Sequence, residues 1–294
     1  MLYLQVLING LLLGGLYACI GAGFSLVWGV LNVINVLHGS FIVLGAYLAF
    51  FGYTLLGIHP YAFAPIAAFA LFLLGYVIQI AIINRVVTAP VLVTMTTTFG
   101  LALLADNLML VAFKADFRKV NLVPPLGIID LSDHIPGLDV IIPVERLASM
   151  FFALLFVGLL YWLLRLTLVG RAIVAVRMDR YAATLMGIDP AKIFALTFAL
   201  GAALAGAAGA LLSPIFPISP LVATTYLGKA FVICVLGGLG SVSGVLIGGL
   251  VVGVLESFGA LFFGPEHGLT LSFSVLLLLL IFRPSGIMGK RGFV

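Results

Sequence analysis

Charge is what this sequence has least of: only 8% of its 294 residues are Asp, Glu, Lys or Arg. A water-soluble domain carries roughly 25%, so a soluble globular fold is excluded and the outer surface must face lipid. Cysteine is almost absent. Cys19 and Cys234 both sit inside apolar runs, which excludes a disulfide framework and leaves them as free, buried thiols. No Lys or Arg precedes the first apolar run, Met1-Leu2-Tyr3-Leu4, so the start lacks the basic region of a cleaved signal peptide and is read as a retained span. Also missing are a Gly-x-x-x-x-Gly-Lys-Ser/Thr phosphate loop, a His-Glu-x-x-His zinc motif and a Gly-x-Ser-x-Gly elbow. The chain is therefore not expected to be an enzyme or to hold a cofactor of its own.

What is present is hydrocarbon: 64% of residues are hydrophobic and the mean hydropathy is +1.33. Only helices or closed barrels satisfy every backbone amide in lipid. Barrel strands alternate polar and apolar residues, whereas Phe151–Leu164 and Ser274–Phe282 are uniformly apolar. The prediction is an all-α, polytopic transmembrane bundle forming a single domain over 1–294. A span needs about 20 apolar residues. Candidates lie at Leu2–Val27, Phe41–Gly57, Ala62–Ile83, Val91–Phe113, Leu147–Leu168, Ile193–Leu212, Val222–Leu239, Val245–Phe262 and Leu269–Phe282. That is nine, within a range of eight to ten. Pro and Gly punctuate the gaps, as at His59-Pro60, Pro124-Pro125, Pro214, Pro217, Pro220 and Gly264-Pro265.

Lys and Arg in the loops orient such a bundle. Arg165–Lys192 holds five basic and two acidic residues, and the tail holds Arg283, Lys290 and Arg291 with no acid. Both are predicted to be cytoplasmic. Lys114–Arg146 carries four basic against five acidic residues, among them Asp116, Asp133, Asp139 and Glu145, so the 114–144 loop is placed outside. The amino terminus then also falls outside.

The cytoplasmic loop, 169–190, is more than a linker. Ala175, Met178, Ala182 and Leu185 recur at helical spacing as one apolar stripe, with Arg177, Arg180 and Thr184 on another face. Gly187 suits the left-handed end of this helix, and Asp189-Pro190 suits the cap and first turn of the next. A basic amphipathic helix lying on anionic lipid is one reading; a helix docked on protein is the other, favoured by the small Ala182 and Ala183.

Polar residues inside hydrocarbon each need a reason. Asn32, Asn35 and His38 recur every third residue ahead of Gly39 and are expected along about 120° of one helix face. They serve either as interhelical hydrogen bonds or as a solute path on a partly unwound segment. His38 has no second ligand at metal spacing. Thr94, Thr96, Thr97 and Thr98 place four hydroxyls early in the fourth span, followed by Asp106-Asn107. Threonines bond back to preceding carbonyls, but four in five positions predict at least one facing a cavity, with Thr94 and Thr97 as candidates. The glycines from Gly237 to Gly253 read as close helix packing, with a turn at Gly240–Gly244. If that turn joins antiparallel spans, Lys229 and Glu256 stand almost equally far from Val242 and are expected to form a buried ion pair.

Several of these stretches, in order, resemble a known family. Ala182-Ala183, three residues, then Gly187 matches the core of the cytoplasmic signature of ATP-binding-cassette importer permeases, with Tyr181 where that signature has Glu. Gly170-Arg171 through Phe198, Asn35-x-x-His38-Gly39, the Gly237–Gly249 series and Arg283-Pro284-Ser285-Gly286-Ile287-Met288-Gly289 resemble branched-chain amino acid permeases of the LivH type. The resemblance covers nearly the whole chain apart from the loop Lys114–Val144. It implies a heteromeric importer with a second, similar permease, two cytoplasmic ATPases that consume the ATP, and a periplasmic solute-binding protein, in a bacterial inner membrane and with no nucleic acid. It further implies that Arg171, Arg177, Arg180, Ala182, Ala183 and Gly187 form the ATPase-coupling element, and it favours the solute path for Asn32, Asn35, His38 and Gly39. An ion-gradient-driven carrier is the alternative, and would show inverted repeats and broken helices.

Overall fold

The computed structural model describes residues 2–130, 140–264, 267–283 and 286–288. Asp133 and Asp139 of the acidic loop, Pro265, and Pro284, Ser285, Gly289, Lys290 and Arg291 of the tail lie outside these. Among the described residues the helices are α1 (Leu2–Leu31), α2 (His38–Leu56), α3 (Pro60–Ala81), α4 (Val91–Phe113), α5 (Val144–Leu166), α6 (Leu168–Met178), α7 (Arg180–Leu185), α8 (Pro190–Leu212), α9 (Ala223–Gly237), α10 (Val242–Phe263) and α11 (Gly268–Phe282). Eight helical segments are long and apolar enough to cross a membrane, and α11 is a shorter apolar helix.

Helix α1 is the axis. Its membrane-length window is 94% buried against 17% for α4, so α4 belongs to the periphery, where Leu104 and Val111 point outward. Small residues make the axis possible. Gly10 and Gly14 of α1 face Gly253 and Gly249 of α10, each pair four residues apart; a Cβ on Gly14 would stand 2.6 Å from the Leu250 Cα. Lipid supplies no hydrophobic drive between helices, so close backbone packing of this kind is what holds them. On the other side α8 presents Ala202, Ala205, Gly206 and Gly209 to α1, α2 and α3. The glycine series read from the sequence is thus packing, and its turn runs between Gly237 and Val242.

The two ends of the bundle differ. At one end β1 (Ile128–Asp130) pairs antiparallel with β2 (Ile141–Pro143), and Gln5 of α1 bonds the Ile141 backbone in both directions at 2.7 and 2.8 Å. Arg118 and Ile218 exchange backbone hydrogen bonds at the same end. This small ribbon was not expected from the sequence. The α6–α7 loop lies at the opposite end, against the close of α1 and the α9–α10 turn.

Two sequence expectations need correction. The stripe Ala175–Met178–Ala182–Leu185 does not run along one helix. The chain breaks at Asp179 (φ −155°, ψ 112°), whose carboxylate accepts from the Tyr181 and Ala182 amides and so starts α7 afresh. Met178 is 82% and Leu185 71% exposed, while Ile173, Val176 and Ala183 turn inward. Nor do Asn32, Asn35 and His38 share a helix face, because residues 32–37 are not helical. Asn32 takes φ +56°, a left-handed conformation that Asn tolerates better than most residues. The β-branched Val33, Ile34 and Val36 then weaken any restart of the helix.

Candidate functional site at a broken span

The break begins where α1 closes, at Leu31. Helix α2 does not begin there. His38 Nε2 lies 3.0 Å from the Ile20 carbonyl, eleven residues back along α1, or about 16 Å at 1.5 Å per residue. Residues 32–37 therefore climb back along α1 as non-helical chain, with a turn at 36–37, before α2 starts deep in the bundle. Non-helical backbone inside lipid must find partners, and Thr98 of α4 supplies some of them. Its hydroxyl, with one proton to give, lies 2.8 Å from the Ile34 carbonyl and 3.0 Å from the Met95 carbonyl of its own helix, and accepts from the Val36 amide at 3.3 Å.

Thr94 and Thr97 do otherwise. Their hydroxyls donate to Val91 and Val93 of their own helix at 2.9 and 2.8 Å. Thr98 was inside the threonine run but not singled out from it. Its spacing four residues after Thr94, which puts the two hydroxyls on one helix face, is the signal that could have found it.

Around the break several polar atoms are buried without a hydrogen bond among the described residues: both side-chain atoms of Asn35, and His38 Nδ1. A carbonyl only accepts, so His38 Nε2 carries the proton and Nδ1 is left as a free acceptor. Asn32 is exposed at the α1 end, away from the other two. A Cβ at Gly39 would collide with the Ala223 carbonyl, so glycine is what allows the first turn of α2 to meet the first turn of α9.

Beside this meeting point lies a cavity of about 160 Å³ between α2, α4 and α9, lined among others by Val36, Ser40, Phe99, Asp106, Thr224 and Leu227. The Ser40 hydroxyl lies beside the Asp106 carboxylate, and Asp106 Oδ1 is buried without a partner among the described residues. Two larger hollows, of about 280 and 430 Å³, are walled only by alkyl and aromatic side chains. They offer nothing to a polar solute.

At the far end, the loop residues are tied to the bundle by their guanidinium groups. Arg180 donates to the Leu31 carbonyl at 3.1 Å and stacks over the Phe194 ring at 4.8 Å. Arg177 donates to the Gly240 carbonyl at 2.9 Å. Arg171 and Ala182 are exposed, Ala183 is buried, and Gly187 takes φ +82°. Asp189 caps α8 through the Ala191 amide.

Lys229 and Glu256 stand together inside the bundle, Nζ to Oε1 2.8 Å, and Lys229 also donates to the Tyr17 hydroxyl at 2.7 Å. The aromatic rings of Tyr17, Phe216 and Tyr226 surround the ammonium.

A broken span with unpartnered polar atoms suits transport, and would suit an ion-driven carrier as well as an ATP-driven one. Comparison with known proteins decides between them. The family model for the branched-chain amino acid transport system permease component matches residues 6–282. The chain belongs to that family. BraD of Pseudomonas aeruginosa, a high-affinity branched-chain amino acid transport system permease protein, is 34% identical over 98% of this chain and 96% of its own length. LivH of Salmonella typhimurium, with the same description, is 30% identical over 98% and 96%. LivM of that organism is also similar, 25% identical over 93% of this chain and 68% of the relative. No solved structure matches. The chain is thus a multi-pass permease component of the bacterial inner membrane, and the ion-driven alternative gives way to membership in this family.

Proposed function

We propose that this permease carries branched-chain or similar aliphatic amino acids as one half of a heteromeric, ATP-driven importer. A second, similar permease completes the pathway; the likeness to both LivH and LivM, two permeases named in one organism, supports such a pair. Two ATPases bind at the α6–α7 end, where basic residues favour the cytoplasm. A solute-binding protein delivers the cargo at the β1–β2 end. ATP is consumed in the partners.

The observation that carries this reading is the α6–α7 loop. Its arginines reach into the bundle while Met178, Tyr181, Leu185 and Met186 stand exposed, an apolar set that water does not favour and a protein groove would cover. Arg180 holds the carbonyl of Leu31, the last helical residue before the break. A shift of α7 on ATPase closure therefore acts directly on residues 32–37, which have few helical bonds to resist a second arrangement.

Co-purification tests it. The tagged chain, expressed with its chromosomal neighbours, should bring down an ATPase and a second permease. Ala182→Arg should release the ATPase, keep the permease pair, and lower leucine uptake. Unchanged uptake in that variant overturns the docking assignment. Uptake that survives ATP depletion but collapses with an ionophore overturns the ATP-driven reading.

A further inference from the structure

We propose that the cavity between α2, α4 and α9 reads the zwitterion itself: Asp106 takes the ammonium group, the first turn of α2 and the Thr224 hydroxyl take the carboxylate, and Phe99, Leu103 and Leu227 take the aliphatic side chain. This rests on the transport reading above and goes further by assigning each part of the solute to a wall.

Asp106 is the starting point. It lies seven residues from the end of α4, about 10 Å along the helix, and so within the hydrocarbon layer of about 30 Å. A carboxylate there is costly and by default functional. Lys229 and Glu256 neutralise each other, but no basic residue lines the Asp106 cavity. The Ser40 hydroxyl is the nearest polar neighbour of Asp106 in the cavity lining, and Oδ1 remains open among the described residues. A primary ammonium, with three donors and one positive charge, is the complement.

The adjoining wall has the opposite polarity. Helix α2 begins at this cavity just after Val36 and brings Ser40, while α9, which continues from the 3-10 turn Pro220–Val222, brings Ala223 and Thr224. A helix N-terminus presents orphan amides and about half a positive charge, which favours an anion. Ala223 and Thr224 come against the start of α2 only because residue 39 is glycine. The Thr224 hydroxyl adds a neutral donor. Between the two poles the remaining lining is hydrocarbon, so a small amino acid with an apolar side chain meets a matched partner at each of its three parts. A sugar would leave the carboxylate unanswered, and a simple cation would leave the apolar wall and the start of α2 unused.

The test uses the assembled transporter in vesicles, with Ala102→Cys, a wall position given no part in holding the solute, in a background lacking Cys19 and Cys234. Alkylation of that thiol is timed with and without leucine, 4-methylpentanoate (leucine without its ammonium) and leucinol (leucine without its carboxylate). Leucine should slow alkylation, and each analogue should need about tenfold more or higher, as for loss of one charge-assisted hydrogen bond. Asp106→Asn should abolish the distinction between leucine and 4-methylpentanoate, and Asp106→Glu should partly restore it. Equal protection by leucine and 4-methylpentanoate overturns the assignment of Asp106, and needs no Asp106 variant to fold. Leucine that is imported yet gives no protection overturns the site while leaving the transport reading intact. A wild-type complex that imports no leucine overturns the transport reading and this one with it.

Discussion

Removing one partner of the Lys229–Glu256 pair should destabilise the protein far more than removing both. The pair is short, 2.8 Å, and both side chains are mostly shielded, at 9% and 20% exposure. Breaking a buried pair from one side costs about 3–5 kcal/mol, whereas replacing both charges by neutral groups of similar volume is often close to neutral. The two single losses should not be equal. Lys229→Met strands Glu256, whose Oε2 already has no partner among the described residues, and belongs at the upper end of that range. Glu256→Gln leaves Lys229 its hydrogen bond to Tyr17 and the faces of three aromatic rings. Each such cation–π contact is worth about 0.5–2 kcal/mol, so this variant should lose about 1–3 kcal/mol. The double variant should lose about 1 kcal/mol or less, giving a coupling of roughly 5 kcal/mol or more. Titration of the purified protein from mild detergent into SDS, followed by tryptophan fluorescence, measures all four corners of the cycle. Losses that add within about 0.5 kcal/mol mean the charges do not interact, and the energetic role given to the pair is then wrong.

Two further outcomes test coupling and sidedness. Arg180→Gln removes the charged donor from the Leu31 carbonyl and from the Phe194 face, so the complex should assemble and hydrolyse ATP while uptake per ATP falls about tenfold, as for loss of one charged hydrogen bond; an unchanged ratio refutes transmission through this contact. Single cysteines at Val123 and Met186, both 82% exposed at opposite ends, should react from opposite sides of the membrane in a background without Cys19 and Cys234. An impermeant maleimide added outside should label Val123→Cys alone, and labelling of both would contradict the charge-based orientation.

Much of the bundle was legible from local pattern. The spans follow from runs of about 20 apolar residues, and their ends lie within a few residues of the helices found, because length and hydropathy are properties of a single segment. The stop at Gly187 and the cap at Asp189 were equally local. The depth count across Gly240–Gly244 succeeded in placing Lys229 near Glu256 because two antiparallel helices joined by a short turn have a fixed register. The single coupling helix failed for the complementary reason. Periodicity through residue 185 ignored Asp179, whose carboxylate caps a new helix more favourably than it continues the old one.

Composition and charge by themselves determined that the chain is helical and lies in a membrane, since both depend on what a residue is and not on where it goes. The ordered glycine and loop motifs were enough to suggest the family. Only the tertiary structure decided the site. Thr98 meets Ile34 across 64 residues of sequence, Arg180 meets Leu31 across 149, and Asp106 comes to share one cavity with Ser40 and Thr224 from distant parts of the chain. No periodicity encodes such meetings. They follow from how closely α1, α8 and α10 pack through their small residues, and from the six residues after Leu31 that stop being a helix and bring α2 back into the bundle.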